Sequence, residues 1–402
     1  MKIKELKTEN YNYNLVGEKI AKYPLKNREN SKLLVYNSGK IKDKKFYNLP
    51  ELLSEKDLLV FNTTKVIQAR LIFRKKTGAK IEIFCLEPNE PADYEQIFQT
   101  TKSCIWKCVV GNSKKWKKDT LVSDIQISDN NIELCANRIS AEHDTQIIEF
   151  SWDNSDFTFA EILESGGVTP IPPYLNRESE ESDKIRYQTV YSEQKGSVAA
   201  PTAGLHFTKE VISELGKKGI KTSNLILHVG AGTFKPVKSE IIADHDMHTE
   251  HFIITLKLIQ DLISNINNIV SVGTTSVRTL ESLYWLGVKL KDNFDLKDFH
   301  ISQWEVYEFT LELSAKEALT EIYDYMIGKN INYFEATTQI IIVPGYKFRI
   351  VNKLITNFHQ PKSTLLLLIA AFIGDDWQKV YDYALKNNFR FLSYGDSSIL
   401  IP

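Results

Sequence analysis

Residue types suited to moving protons stand at four separated places in the chain, His206, His228, Glu250 and Asp396. An imidazole titrates near neutrality, and a carboxylate beside it can orient it or share its proton, so these types fit general acid and base work. Each lies near residues that could hold a ligand. His206 stands near the end of residues 186–208, RYQTVYSEQKGSVAAPTAGLHFT, in which Arg186, Tyr187 and Gln188 offer a charge, a ring and an amide. In the same stretch Pro201, Thr202, Ala203 and Gly204 form a small-residue loop of the kind that lets backbone donors approach a ligand closely. His228 precedes Gly230, Gly232 and Thr233, but Lys235 stands where a dinucleotide fingerprint needs its third glycine. His248 and Glu250 are two residues apart, so an extended chain turns both to one side.

Two further polar runs each separate a strand-like stretch from a helix-like one: Thr274, Thr275 and Ser276 with Arg278 one turn on, and Asn357, His359, Lys362 and Ser363. A helix N-terminus there favours a carboxylate or phosphate. The GK[ST] element of a P-loop is absent. His245, His248 and His251 recur every three residues without the HExxH order and without a second ligand group, so no metal is expected. Arg28, Arg70, Lys115 and Lys117 are candidate contacts to RNA phosphate, and Trp116 among its lysines reads either as a stacking ring in a phosphate-contacting loop or as part of a solvated turn.

The elements that must position these residues change character along the chain. Residues 33–36 and 58–61 read as strands, with a hairpin signal at Asn37-Ser38-Gly39. Between residues 66 and 152 the runs KIEIFCLE, IWKCVV, DIQIS and TQIIEF alternate with turn signals, which predicts a small all-β, barrel-like module. It is flanked by α/β-like chain, so the expected organisation is a main α/β domain in two parts, residues 1–65 and 154–402, with an inserted β domain at 66–153. Thr208 is the expected N-cap of a helix over 209–215, residues 225–229 and 269–272 read as strands, and so do 340–343. Pro361 fits a first helical turn before a buried helix. His300, Trp304 and Tyr307 read as packing residues.

A chain of 402 residues with 43% hydrophobic and 25% charged residues is long enough for two or three domains and too apolar for disorder. Its net charge of -1 argues against a surface that grips phosphate all over, although residues 66–120 carry 11 Lys/Arg against 6 Asp/Glu. The four cysteines lack CxxC spacing and sit in apolar strand-like runs, as reduced core residues do. The first residues, MKIKELKTEN, lack the apolar segment of a signal peptide, and no apolar run approaches a bilayer span, which predicts a cytoplasmic protein.

The motifs, in their order, resemble the S-adenosylmethionine:tRNA ribosyltransferase-isomerase family of queuosine biosynthesis. Those that carry the resemblance are the 186–208 stretch, LHVGAGTFKPV, HDMHTE, VGTTSVRTLES, PGYKF, TNFHQPKSTL and SYGD, and they span most of the chain. FNTTKVIQAR is similar to the family's FNDTRVIPAR, with Thr63, Lys65 and Gln68 at the three differing positions; Glu29 and Gln360 also depart from the family pattern. The resemblance implies a monomeric enzyme that consumes S-adenosylmethionine as a ribosyl donor, with no separate cofactor. The acceptor would be the aminomethyl group of 7-aminomethyl-7-deazaguanine at the tRNA wobble position, and the products epoxyqueuosine-tRNA, adenine and methionine. A base near the sulfonium and an acid near the departing adenine would be needed, which His206 or His228 would supply with Asp396 or Glu250. Two other readings of the residues remain open, a methyltransferase on an α/β sheet and a non-catalytic tRNA-binding protein.

Overall fold

The computed structural model describes residues 5–117, 119–142, 145–230, 237, 239–292 and 299–402. A hairpin of β1 (Lys32–Asn37) and β2 (Lys40–Lys45) comes first, with Ser38 at φ 45° and Gly39 at φ 85° in its turn. A two-residue hairpin turn of this hand needs positive φ at both central positions, which is the signal that Ser38-Gly39 gave. Helix α1 (Leu49–Leu52) leads to β3 (Leu58–Asn62), buried at every position, and to the short β4 (Thr64–Val66).

The chain then builds β5 (Arg70–Arg74), β6 (Lys80–Glu90), α2 (Tyr94–Gln99), β7 (Ser103–Gly111), β8 (Leu121–Ile127), β9 (Asn130–Glu142) and β10 (Thr145–Trp152). Helix α3 (Phe159–Gly166) follows, its start fixed by a Thr158 and Glu161 capping box. Next come β11 (Gly167–Val168), α4 (Asp183–Arg186), β12 (Gln194–Ser197), α5 (Lys209–Lys217), β13 (Lys221–His228), β14 (Glu250–Thr255), α6 (Leu256–Ser264), β15 (Ile269–Val272) and α7 (Thr274–Lys291). The last elements are β16 (His300–Ile301), α8 (Ala315–Lys329), β17 (Tyr333–Thr338), β18 (Lys353–Asn357), α9 (Thr364–Ile373), α10 (Asp376–Lys386) and β19 (Ser397–Ile401).

Ten strands form one sheet in the order β16-β17-β14-β13-β3-β15-β18-β19-β1-β2. Its centre, β13 to β18, is parallel. Parallel strands are covered on both faces, which is why β3 and β15 are buried at every position rather than at alternate ones. A second sheet is antiparallel, in the order β11-β5-β6-β7-β10-β9-β8, and its strands alternate buried and exposed positions over a separate core containing Trp106, Phe150 and Phe159. Cys85, Cys104 and Cys108 lie unpaired in that core. The strands β4 and β12 pair in parallel as a third, two-stranded sheet. The fold is therefore mixed α/β with two large sheets, and no helix among the described residues is long and apolar enough to cross a membrane.

Two sequence expectations are corrected here. Residues 340–343 are buried but are not a strand. Side chains take up their backbone groups instead: Thr338 Oγ1 accepts from Ile340 N, Arg278 Nε donates to Ile340 O, and Tyr307 Oη donates to Ile341 O and accepts from Val343 N. Pro361 lies ahead of the N-cap of α9 rather than in its first turn, because Ser363 Oγ takes the cap by accepting from Leu366 N at 3.2 Å. Tyr307 is thus a backbone-binding residue as well as a packing one.

Candidate active site

Strands β15 and β18 pair in parallel, and each delivers a polar turn to the same carboxyl edge of the sheet, the edge where open α/β sheets bind ligands. After β15, Gly273 at φ 97° turns the chain into the 18-residue α7, whose first residues Thr274 and Thr275 line a cleft. After β18, Asn357, His359 and Gln360 lead along the same cleft to Ser363 and α9. Pro201, Thr202 and Ala203, from a turn of 3-10 helix over Thr202–His206, form a third wall. Two helix N-termini thus converge on one cleft and make it electropositive without a charged side chain. The cleft has about 70 Å³ of room, space for roughly five waters at about 15 Å³ each. That is room for an amino-acid head group.

His206 lies behind this cleft rather than in it. Asn357 Nδ2 donates to the Leu392 and Ser393 carbonyls at 2.9 and 3.1 Å, which leaves Oδ1 as an acceptor facing His206 Nε2 at 3.2 Å. Nε2 therefore carries the proton, and Nδ1 accepts from the Ser31 hydroxyl at 2.8 Å. Burial pushes the ring down to about 4, so it is neutral at physiological pH. His359 is likewise buried and pushed down to about 3, with Nε2 3.0 Å from Thr356 Oγ1.

Glu250 and Arg278 meet as a buried ion pair at 2.8 Å, and His248 Nε2 stands 3.4 Å from the other Glu250 oxygen. Burial works to raise the Glu250 carboxyl, but Arg278 and His248 more than offset it and hold the group below its ordinary range. Asp396 is a clamp: Oδ1 accepts from Lys32 N at 2.9 Å and from the Arg390 guanidinium at 3.1 Å, and Oδ2 accepts from Arg390 N at 2.8 Å. Ser276 Oγ donates back to Val272 O, and Lys362 pairs with Glu9.

A second, larger cleft of about 760 Å³ opens between α2 and the edge formed by β13, β14 and β17. His228 ends β13 there, 8% exposed, stacked on Tyr94 with ring centroids 4.1 Å apart and an interplanar angle of 6°. Burial first, then neighbouring His251, holds His228 down at about 4. Its Nδ1 lies against the Gly196 backbone without completing a hydrogen bond. Gly196 is required at that point, since a Cβ would stand 2.4 Å from this nitrogen. Asp93, His251 and Glu335 line the same cleft. The two clefts share the end of β13, His228 facing the larger and Val229 the smaller.

The 186–188 triplet is placed differently from expectation. Arg186 donates to the Lys26 and Leu25 carbonyls, Tyr187 is fully buried against Tyr394, and Gln188 exchanges two hydrogen bonds with the Val66 backbone at 2.7 and 3.0 Å. Arg28 donates to Gln188 O at 2.9 Å. These four residues tie the N-terminal segment to the sheets; none of them lines these two clefts, while Gln188 lines a third of about 170 Å³. Gly204 is a packing glycine, where a Cβ would come 2.0 Å from Tyr191 Oη. Arg70 pairs with Glu82 at 3.2 Å. Lys115 and Lys117 are exposed, but Trp116 between them is 1% exposed, donates Nε1–H to Asp119 O and lies under the Arg138 guanidinium, so it offers no face to a base. Gly230 is half-buried, while Gly232 and Thr233 lie outside the described residues.

Sequence reasoning missed Thr356 and Ser393 in the smaller cleft and Asp93, Tyr94 and Glu335 in the larger. Thr356 and Ser393 open the TNFHQPKSTL and SYGD motifs, whereas no motif marks Asp93, Tyr94 and Glu335. Asp93 carried one readable signal, an N-cap type ahead of a helix, and its carboxylate does accept from Gln96 N at 2.7 Å.

A mixed α/β chain with two clefts meeting at the end of a sheet strand, each lined by polar as well as apolar residues, has the form of an enzyme. The chain belongs to the family described as "Queuosine biosynthesis protein", whose model matches residues 8–400. It is 38% identical over 403 residues to the S-adenosylmethionine:tRNA ribosyltransferase-isomerase of Sulfurihydrogenibium sp. (strain YO3AOP1), a match covering 98% of this chain and 100% of that one. The enzyme of the same name from Thermotoga maritima is also 38% identical, with the same coverage. The crystal structure of S-adenosylmethionine tRNA ribosyltransferase from Thermotoga maritima aligns over 97% of this chain and 99% of that one at 27% identity, with a TM-score of 0.45.

Proposed function

We propose that the chain transfers and isomerises the ribosyl moiety of S-adenosylmethionine onto the aminomethyl group of 7-aminomethyl-7-deazaguanine in tRNA, giving epoxyqueuosine-tRNA, adenine and methionine. Kinship over the full length supports the reaction, and the single structural observation that carries it is the convergence of the α7 and α9 N-termini on a head-group-sized cleft. That cleft takes the methionine carboxylate, with Thr274, Thr275 and the α9 turn as donors. S-adenosylmethionine is a substrate here, and no further cofactor enters the reading. Residues 66–153 act as a β domain inserted in the main domain, and the protein works as a cytoplasmic monomer.

The sulfonium acidifies the neighbouring 5′ carbon, so loss of a proton there can expel adenine. Of the four proton-handling candidates, His206 and Asp396 have their polar atoms paired within the protein, and Glu250 is held by Arg278. His228 lines a cleft, with its Nδ1 packed against the Gly196 backbone, and its ring is neutral at pH 7, as a base must be. His228 is therefore the proton acceptor, and His206 positions Asn357. The test is turnover with methyl-labelled donor and substrate tRNA. Adenine release with all label in free methionine is expected; label in the tRNA would make the protein a methyltransferase, and salt-sensitive tRNA binding without adenine would make it a binding protein.

A further inference from the structure

The third cleft gathers three ammonium groups around one carboxylate. Lys65 on β4 and Lys195 on β12 are direct partners in their parallel pair, so their side chains leave on the same face, and Lys184 reaches the same cleft from α4. Like charges opposite each other across a sheet work against its pairing. Lys195 is answered by Glu164 of α3 at 2.7 Å and Lys184 by the exposed Glu181 at 3.0 Å, but Lys65 has no carboxylate in contact among the described residues. Lys195 first, with Lys65 and Lys184 adding to it, holds the Glu164 carboxyl below its ordinary range. Two uncharged donors line the same space. Thr169 is 3% exposed, and its hydroxyl makes no hydrogen bond among the described residues. The Gln68 amide likewise has no partner there. The cleft's volume of about 170 Å³ is room for roughly eleven waters at about 15 Å³ each, enough for a phosphodiester. It opens beside the larger cleft, with which it shares Phe98, Ala160 and Lys195.

We infer that this cleft seats one backbone phosphate of an RNA strand, from a linkage beside the nucleotide that enters the larger cleft, with Lys65 and Lys184 as its cations and Thr169 and Gln68 as neutral donors. The inference rests on the ribosyl-transfer reading for the partner, an RNA whose reacting base lies near His228. A phosphodiester stays ionised at physiological pH, so it answers the unpaired Lys65 and offsets the repulsion across β4 and β12 while leaving the Lys195 and Glu164 pair intact. A backbone phosphate carries no sequence information; holding it fixes register and orientation. The cleft thereby sets which nucleotide of the strand stands at the larger cleft and which stand to either side. Lys65 and Gln68 are two of the positions at which FNTTKVIQAR differs from FNDTRVIPAR, so the charge at this cleft comes from a lysine and the amide contact is a feature of this chain.

The experiment uses the full chain and an anticodon stem-loop RNA in which one or the other phosphate flanking the wobble nucleotide is replaced by a neutral methylphosphonate, with binding followed by fluorescence anisotropy. In wild type one of the two replacements is expected to weaken binding roughly tenfold, the order of a hydrogen bond to a charged group. Lys65→Gln with Lys184→Gln should weaken binding of the unmodified stem-loop by a similar factor, lower the slope of log Kd against log salt by about 0.7, and show no further loss on that replaced RNA. Removing two like charges should leave the melting temperature unchanged or raise it. Losses from protein and RNA that multiply at both linkages overturn the inference, as does a melting temperature that falls in step with binding. Inorganic phosphate bound by wild type and not by the variant, with the losses still multiplying, would make this a site for a free anion and overturn the RNA assignment. Coupled losses without adenine release from tRNA carrying the aminomethyl base would sink the ribosyl-transfer reading and leave the phosphate site standing, whereas normal adenine release with multiplying losses sinks the inference alone.

Discussion

His206 Nε2 and Asn357 Oδ1 face each other at 3.2 Å, joining two motifs 151 residues apart in the chain. Asn357 lines the head-group cleft and His206 does not, so the imidazole acts by holding the amide, whose other side is fixed by the Leu392 and Ser393 carbonyls. His206→Ala should lower kcat by roughly tenfold and cost about 2 kcal/mol of stability, the order expected for an unsatisfied buried amide. The ionisations in its pH–rate profile should stay where they are in wild type. Loss of a limb from that profile would return His206 to proton transfer.

Acid should destabilise the fold through three histidines. His206, His228 and His359 are held by burial at about 4, about 4 and about 3 against an ordinary 6.5. The unfolded chain therefore binds protons that the folded chain refuses, so stability falls as pH drops from about 6.5 towards 4. For His206 alone, moving from 6.5 to about 4 corresponds to about 3 kcal/mol. Denaturant midpoints measured between pH 7.5 and 4.5 should decline, and more shallowly in His359→Asn. A midpoint flat across that window would contradict the neutral, buried state of these rings.

The Glu250 and Arg278 pair links the first residue of β14 to the buried face of α7. Arg278→Met alone leaves a buried carboxylate without its cation and should cost about 3–5 kcal/mol. Pairing it with Glu250→Gln should recover much of that loss, because neither remaining group carries a charge. Urea titration of both variants checks this, and equal destabilisation in the two would mean that packing, rather than charge, dominates the site.

Among the basic residues read as RNA contacts, the structure separates two kinds. Arg28 is engaged with the Gln188 carbonyl, whereas Lys117 is exposed on the loop after β7. Lys117→Ala should reduce the slope of log Kd for tRNA against log salt by about 0.7–0.9. Arg28→Ala should leave that slope alone and lower the melting temperature instead.

Much of the architecture was readable because local signals agreed with burial. Thr208 caps α5, accepting from Val211 N at 3.3 Å, and β15 occupies the four residues that its apolar run marked. Pro361 was misread because nearby Ser363 takes the cap, but two other misreadings arose where side chains from elsewhere intervened. The apolar run at 340–343 is kept out of a sheet by Thr338, Arg278 and Tyr307, and Trp116 is capped by Arg138 from β9, neither of which leaves a trace in local sequence. The site was legible where residues follow a strand, as at Thr274 and Asn357. Asp93 and Glu335 were not, since they are 242 residues apart and come to line one cleft only in the folded chain.

The head-group cleft makes the last prediction. Thr275 lies in the first turn of α7 and lines the cleft beside Thr274. Thr275→Val keeps the shape and removes the hydroxyl. A hydrogen bond to a charged group contributes about 1.5–3 kcal/mol, so the KM for S-adenosylmethionine should rise by roughly ten- to a hundredfold. The KM for tRNA should not move if Thr275 touches only the donor, and kcat should change less than KM, as for a contact made equally before and during the reaction. Steady-state adenine release with each substrate varied in turn gives all three numbers. A variant in which kcat falls while the donor KM stays constant would place Thr275 at the reacting carbon rather than at the carboxylate.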